Sequence, residues 1–299
     1  MAQLGVIFVQ YDQERYGNAF SLLLKVLQQF KKETVVTVKV DNKHEDQPLQ
    51  VAHRSVIEVG GDNTLFEFSG WMKGWQVLQT HQGDCDCYLF VTDAFLAYGD
   101  NYQDLVADLL PFLLKQSAVA GLVDLPPTNL QSLKLLNWEL DSWIRSSFFF
   151  IPHPVLTRMQ SLITIDEVDR FCEVEFHHRA FKPDAPLSLH YQIYLEQWLT
   201  RDWHSAFPLS PDTWEFFRNK IRSILNEHAL TGRWQEMAIP IYDLHFLKNY
   251  SRQQGLTLLD IPPQSLERYC FHLTRQKEYY RLSFPARVIH KIKRLFLTS

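Results

Sequence analysis

The chain has 299 residues, of which 46% are hydrophobic and 14% aromatic, and its formal net charge is −4 at pH 7. This length corresponds to about two domains, or to one large α/β domain with an appendage, and the composition excludes an intrinsically disordered protein. The slight acidic excess argues against a protein that coats nucleic acid, so no nucleic-acid partner is expected. The four cysteines are too few for a disulfide framework and fit a reducing compartment.

The N-terminal segment does not have the pattern of a signal peptide. Its apolar run, residues 4–9 (LGVIFV), has no basic leading segment, and charged residues follow at once. No apolar run approaches the roughly 18 residues that a membrane-spanning helix needs. We therefore expect a cytoplasmic protein.

Residues 1–125 alternate between β-rich segments and helical patterns. Strands are predicted to begin at Leu4, Val35, Ser55, Cys87 and Ala118. Between them, apolar residues recur at helical spacing in segments that begin near Asn18, Leu65 and Tyr102. Apolar strands that alternate with helices are buried on both faces. The predicted fold class is therefore α/β, with a mainly parallel sheet flanked by helices.

The second half of the chain is predicted to be mostly helical, with one further strand at residues 148–151 (FFFI). Residues 187–199 have a helical pattern. A longer helix is expected over residues 211–230, with Ser210 as its N-cap, Pro211 in its first turn and Gly232 just beyond its end. Its apolar stripe includes His228, which we interpret as a buried core histidine.

Polar residues follow each of the first four predicted strands. They are Gln10 and Tyr11, Asp41 and Asn42, Asn63, and Asp93. In a parallel sheet the carboxyl ends of the strands share one edge, and ligands bind in the crevice there. The alternative is that these residues only cap helices and turns, as Asp and Asn often do. The chain contains neither GxxxxGK[ST], GxGxxG nor GxSxG, which argues against nucleoside triphosphatases, nicotinamide dehydrogenases and α/β-hydrolases.

The order of these segments resembles a known family. The segments are VDN (40–42), GGDNTLFEFSGWMKG (60–74), YLFVTDAF (88–95), WIRSSFFFIP (143–152), YLEQWLT (194–200) and KIRSILNEHALTGRW (220–234). Together they resemble bacterial glycosyltransferases of the GT-A fold, closest to the family-2-like and rhamnan-synthesis-like proteins of surface-polysaccharide clusters.

The resemblance implies transfer of a sugar from a nucleotide-sugar donor to a cell-surface glycan or lipid-linked precursor. Residues 1–125 would bind the donor, residues 126–235 would form the acceptor side of the same domain, and residues 236–299 would be a helical C-terminal extension. By position, the implied donor-binding residues are Gln10, Tyr11, Asp41, Asn42, Asn63 and Asp93.

The resemblance also implies a DxD-type motif that binds the donor diphosphate through Mg²⁺ or Mn²⁺. This chain has Thr92-Asp93-Ala94 at that position, so Asp93 is the only carboxylate there to act as a metal ligand. Hard divalent cations take several oxygen ligands. Either the metal is held weakly at Asp93, or cationic side chains stabilise the leaving diphosphate instead.

Glycosyl transfer to a hydroxyl needs a general base near the acceptor. Three carboxylates of the second half are candidates: Glu196, which lies among Tyr194 and other aromatic residues, and Asp141 and Glu139 of the segment NWELDSW. For Glu196 and Asp141, the alternative is a solvent-facing acid on a surface. Two further readings of the whole chain also stay open, namely a catalytically inactive binding or scaffold protein with the same fold, and an unrelated doubly wound protein.

The C-terminal segment 285–297 (PARVIHKIKRLFL) is a predicted basic amphipathic helix. No acidic residue follows Glu278, whereas five basic residues do. Such a helix can lie in a membrane interface, which predicts peripheral contact with the inner face of the membrane. The alternative is that its apolar stripe packs on the protein's own core.

Overall fold

The computed structural model describes residues 1–53, 56–102, 104–126, 133–177, 179–203 and 205–261. Ten strands lie in this part of the chain: β1 (Gln3–Gln10), β2 (Thr34–Asp41), β3 (Gln50–His53), β4 (Val56–Gly60), β5 (Cys87–Thr92), β6 (Val119–Asp124), β7 (Leu133–Leu135), β8 (Trp138–Leu140), β9 (Trp143–Pro152) and β10 (Ile241–Asp243). Eight of them form one mixed, mostly parallel sheet in the order β10-β6-β9-β5-β1-β2-β4-β3, while β7 and β8 form a separate hairpin.

The α/β class predicted from the sequence is confirmed, and all five strands predicted in the first half belong to the large sheet. β1 pairs in parallel with both β2 and β5, and β2 pairs in parallel with β4. The chain therefore builds the sheet outward from β1 through β2 to β4, and then returns to the other side of β1 with β5. This change of direction makes the β1/β5 boundary the topological switch point of the sheet.

The strand predicted at residues 148–151 is longer than expected and runs against its neighbours. It is β9, which lies antiparallel between β5 and β6. β10, from residues 241–243, adds a parallel strand beyond β6. Both strands come from beyond residue 125, so the segments 126–235 and 236–261 complete the sheet begun by residues 1–125.

The described helices are α1 (Gln13–Tyr16), α2 (Ala19–Leu27), α3 (Glu67–Gln82), α4 (Leu109–Gln116), α5 (His153–Met159), α6 (Leu189–Gln197), α7 (Trp214–Glu236) and α8 (Leu244–Gln254). α2, α4 and α8 bury apolar residues against one face of the sheet. α3, α5 and the C-terminal part of α7 cover the other face. A third apolar cluster joins the β7–β8 hairpin, α6 and the N-terminal part of α7.

Two predicted helix bounds are wrong, each for a local reason. α4 begins at Leu109 rather than near Tyr102, because a longer helix would bring Pro111 into its interior, where proline clashes with the preceding turn. α7 continues to Glu236 and contains Gly232, which was predicted to lie beyond its end. The absence of a side chain at Gly232 lets the ring of Trp138 pack directly on the helix.

No helix among the described residues is both long and apolar enough to cross a membrane. The segment predicted as a basic amphipathic helix, residues 285–297, lies outside the described residues.

Candidate functional site

A cavity of about 710 Å³ opens at the carboxyl ends of β1 and β5. Its floor is formed by residues that follow these strands, including Tyr11 and Asp93, and its opposite wall comes from α6, α7 and the segment between them. The cavity therefore lies at the topological switch point, where open α/β sheets bind ligands. Its volume is in the range of pockets that bind small organic molecules.

Asp93 connects the two strand ends beneath the cavity. Its Oδ2 atom accepts hydrogen bonds of 2.7 Å from the main-chain N–H groups of both Tyr11 and Asp12. Burial raises the pKa of the Asp93 carboxyl above its ordinary value, although these two hydrogen bonds lower it. Asp93 therefore lines the cavity and also holds the segment after β1 in place.

Asn42 and Asn63 also line the cavity, as the sequence predicted. The Asn42 Nδ2 atom donates to the Asn63 Oδ1 atom at 3.3 Å and to the main-chain oxygen of Phe66 at 2.8 Å. Asn63 and Phe66 have φ angles of 54° and 50°. These angles lie in the left-handed region of the backbone, which residues other than glycine rarely adopt. Asn42 thus fixes a strained loop whose residues face the cavity.

The other two residues predicted to bind a donor lie elsewhere. Asp41 lines a separate open groove, where its carboxylate accepts from Gln13 at 3.2 Å and contacts His44 at 2.9 Å. Consecutive residues at a strand end point to opposite faces, so Asn42 faces the cavity and Asp41 does not. Gln10 is buried at the end of β1 and is not a lining residue of the cavity.

None of the three carboxylates predicted as general bases, Glu139, Asp141 and Glu196, is among the residues that line the cavity. Asp141 is exposed and accepts a hydrogen bond from Ser142. Glu196 lies on α6 between cavity-lining residues, since Leu195 and Trp198 face the cavity while Glu196 is turned away by helical geometry. The prediction grouped Glu196 with its aromatic neighbours by sequence, but only Tyr194, Leu195 and Trp198 of this segment reach the cavity.

Two other carboxylates, Glu67 of α3 and Glu227 of α7, face each other across Ser146 in the cavity wall. The main-chain N–H of Ser146 donates to Glu227 Oε2 at 2.6 Å, and its hydroxyl donates to Glu67 Oε1 at 3.0 Å. The Ser223 hydroxyl also donates to Glu67, at 3.3 Å. Burial, together with the nearby charges of Glu67 and Asp124, raises the pKa of Glu227 to about 7. Glu227 can therefore take up or release a proton near neutral pH.

An ion pair and a neutral histidine complete this wall. Arg145 Nε donates to Asp124 Oδ2 at 2.9 Å, and both residues line the cavity. His228 is buried, hydrogen-bonded to the Tyr191 hydroxyl and packed on the ring of Trp143, with the ring centroids 4.1 Å apart. Burial lowers the pKa of His228 to about 3, so the imidazole is neutral at physiological pH. The prediction of a buried core histidine is confirmed, and the same residue also borders the cavity.

The sequence reasoning missed Glu67, Asp124, Arg145, Ser146 and Glu227. Asp124 ends β6 and follows the strand-end rule that selected Asp93, so the sequence did carry a signal for it. Glu227 immediately precedes a predicted buried residue, which was a weaker signal. Glu67, Arg145 and Ser146 reach the cavity only through the pairing of β9 and the hydrogen bond that joins Glu67, at the start of α3, to Ser223 of α7.

The protein does not by itself supply enough ligands at Asp93 to hold a divalent cation. Within the described part of the chain, no three His, Cys, Asp or Glu side chains are grouped so that they could hold a metal ion. Oδ2 of Asp93 already accepts two main-chain hydrogen bonds. The single carboxylate thus fits poorly with the several oxygen ligands that Mg²⁺ or Mn²⁺ requires.

No protein-family model matches this chain, and no match was found among curated proteins. Its class is therefore defined by its architecture alone: an α/β protein with a mostly parallel sheet and a ligand-sized cavity at the switch point.

Proposed function

We propose that this protein is a glycosyltransferase of the GT-A fold. It would move a sugar from a nucleotide-sugar donor to a cell-surface glycan or lipid-linked precursor. The observation that carries the proposal is the cavity, in which the polar strand ends Tyr11, Asn42, Asn63 and Asp93 lie opposite a partly buried acid, Glu227. The resemblance in segment order supports the same function.

In this proposal the donor binds against the strand ends. Asn63, in the loop that Asn42 fixes, supplies polar atoms for the nucleoside, and Tyr11 supplies an aromatic ring that is 46% exposed. Arg15, which lines the cavity just after β1, faces the diphosphate. A cation there stabilises the negative charge that develops on the leaving group. No step of the proposal passes through a metal ion.

Glu227 is the general base. It takes the proton of the acceptor hydroxyl while that oxygen bonds to the anomeric carbon, and the bond from this carbon to the diphosphate oxygen breaks, releasing a nucleoside diphosphate. A base with a pKa of about 7 is well matched to this step near neutral pH. The position of Glu227 fits this role better than that of Asp141 or Glu196, because Glu227 lines the cavity and the other two residues do not.

The first test is a thermal-shift screen of the full chain against UDP-, GDP-, CMP- and dTDP-linked sugars. A ligand that binds only the native state stabilises it by about 2.7 kcal/mol at one hundred times its Kd. We expect stabilisation by at least one nucleotide class. If none of them shifts the melting temperature, the proposal is wrong.

The second test measures turnover as the release of nucleoside diphosphate from whichever donor binds. Glu227→Gln should lower kcat at least about a hundredfold, in line with the usual contribution of a general base. Glu175→Gln, a matched change at an exposed site, should leave it unchanged. Equal rates in the two variants would exclude Glu227 as the base.

A catalytically inactive binding protein is the second candidate. It is favoured by Asp93, whose carboxylate binds main-chain N–H groups where the resemblance implies a metal ligand. Binding of a nucleotide sugar without turnover or hydrolysis would support this candidate.

The proposal includes a cytoplasmic location, with peripheral membrane contact through residues 285–297. It is supported by the basic, apolar pattern of that segment. An acceptor confined to the membrane surface would make such contact useful.

A further inference from the structure

One lysine in the cavity is held by aromatic rings. The Nζ atom of Lys220, on α7, lies 4.6 Å from the ring centroid of Phe66 and 5.3 Å from that of Trp203. Trp198 and Phe216 line the cavity beside them. We call these four rings together with Lys220 the aromatic compartment.

The charge of Lys220 is not neutralised by an acid. Among the described residues, no carboxylate oxygen forms an ion pair with Lys220, whereas the arginines on either side of it are bound. Arg218 pairs with Asp169 and Glu215, and Arg222 donates to the main-chain oxygens of Thr64 and Asp166. The rings attract the ammonium group through their negative faces, but they do not cancel its charge. Lys220 is thus available to an anion that enters the cavity.

The compartment is built from irregular backbone on both sides. Phe66 has a φ angle of 50°, and its main-chain oxygen is held by Asn42. On the other side, a π-helical turn spans Trp198–Asp202, so that Trp198 and Trp203 both reach the cavity with ring centroids 5.9 Å apart. Strained residues and π-helical turns of this kind concentrate at functional sites. Here both bring a ring to the same cavity.

We propose that the aromatic compartment binds an anionic sugar residue of the acceptor, with its carboxylate or phosphate on Lys220 and its ring against Trp198 or Trp203. The apolar C–H face of a pyranose can pack on an indole ring, and an ammonium group forms a charge-assisted hydrogen bond to the anion. Because the compartment is formed mainly by the segments from α6 to α7, it is distinct from the strand ends proposed for the donor. The carbohydrate part of this assignment rests on the proposed function.

The test compares ligands that differ in one group. Methyl glucuronide and methyl glucoside differ only in the carboxylate at C6, and glucose 1-phosphate represents the phosphate source. Binding to the full chain is measured by tryptophan fluorescence and ligand-observed NMR. We expect an anionic sugar to bind about tenfold more tightly than methyl glucoside, the ratio that a difference of 1.4 kcal/mol gives. Whichever of the two anionic sugars binds more tightly than methyl glucoside shows whether the compartment takes a carboxylate or a phosphate.

Variants at Lys220 decide whether the preference arises there. Lys220→Met should abolish it, Lys220→Arg should retain most of it because the charge is kept, and Lys134→Met, at an exposed site outside the cavity, should not alter it. The proposal is overturned if charged and neutral sugars bind equally, if no sugar binds, or if the preference survives in Lys220→Met. It is also overturned if Lys220→Met weakens only the binding of UDP-glucose, since Lys220 would then serve the donor.

The two proposals fail separately. If a nucleotide sugar stabilises the chain but Lys220 does not discriminate between the sugars, the compartment is wrongly assigned while the transferase function stands. If no nucleotide sugar binds but the anionic preference depends on Lys220, the compartment is a carbohydrate site of a protein with another function.

Discussion

The Oδ2 atom of Asp93 accepts a 2.7 Å hydrogen bond from the main-chain N–H of Tyr11, which joins the ends of two neighbouring parallel strands. The chain reverses its direction of strand addition at this pair of strands. The cavity opens there, and the Asp93 carboxylate fixes the shape of its floor. A side chain that sequence position suggested for ligand binding is therefore also part of the framework of the site.

Asp93→Ala should lower the free energy of unfolding by about 1–3 kcal/mol, because the N–H groups of Tyr11 and Asp12 would lose a buried acceptor. Asp93→Asn keeps one carbonyl oxygen and should cost less. Urea denaturation of both variants checks this. Equal stability of Asp93→Ala and the unmodified protein would contradict a structural role for the carboxylate.

Glu227→Gln should increase stability at neutral and alkaline pH. The pKa of Glu227 is raised from 4.5 to about 7 in the folded state, so the folded protein binds more protons than the unfolded chain between these values. Its contribution is therefore most favourable below pH 4.5 and is lost as the pH rises to about 7. Above that pH the ionised, partly buried carboxylate costs about 3 kcal/mol, which the variant should recover.

The measurement is the free energy of unfolding in urea at a series of pH values from 5 to 8. The difference between Glu227→Gln and the unmodified protein should grow across this range. A constant difference would mean that Glu227 has an ordinary pKa.

Glu67→Gln tests the coupling of the two acids across Ser146. Burial is the main cause of the raised pKa of Glu227, and the charge of Glu67 adds to it. Removing that charge should lower the pKa of Glu227, so the loss of stability with rising pH should be complete at a lower pH. The same titration checks this, with Glu175→Gln as the control. If the Glu67→Gln and control curves coincide, the two carboxylates are independent.

Much of the sheet could be predicted because apolar strands of a parallel sheet are continuous runs, as in LGVIFV and CYLFVT. The direction of β9 could not be predicted from the sequence. Phe148, Phe149 and Phe150 are all fully buried, so the run has no alternation, and only its tertiary pairing with β5 and β6 decides that it is antiparallel.

The site was predictable to the extent that it follows from strand ends. Asn42, Asn63 and Asp93 meet because parallel strands share a carboxyl edge, whereas Asp41 is separated from them by the alternation of side chains along β2. Lys220 and Glu227 could not be assigned in this way. They lie on a helix that approaches the sheet edge only after β9 has placed the second half of the chain, and no local pattern specifies that approach.

Gly232→Ala should destabilise the protein although it replaces glycine by the best helix former. Within α7 this change gains up to about 1 kcal/mol of helix propensity. A Cβ atom at Gly232, however, would lie 2.7 Å from the Cγ atom of Trp138 and closer still to other atoms of that ring. The indole cannot retreat freely, because its Nε1 atom donates to Glu236 of the same helix at 3.1 Å. Overpacking of this kind costs about 1–3 kcal/mol, so after the gain in helix propensity we expect a net loss of up to about 2 kcal/mol.

A double-mutant cycle separates the two effects. In a Trp138→Ala background the obstructing ring is absent, so Gly232→Ala should instead stabilise the protein by up to about 1 kcal/mol through helix propensity. Urea denaturation of the four proteins gives the interaction energy of the pair directly. If Gly232→Ala has the same effect in both backgrounds, close packing of Trp138 on α7 is not the reason for glycine at this position, and the helix should tolerate alanine there as it would at an exposed site.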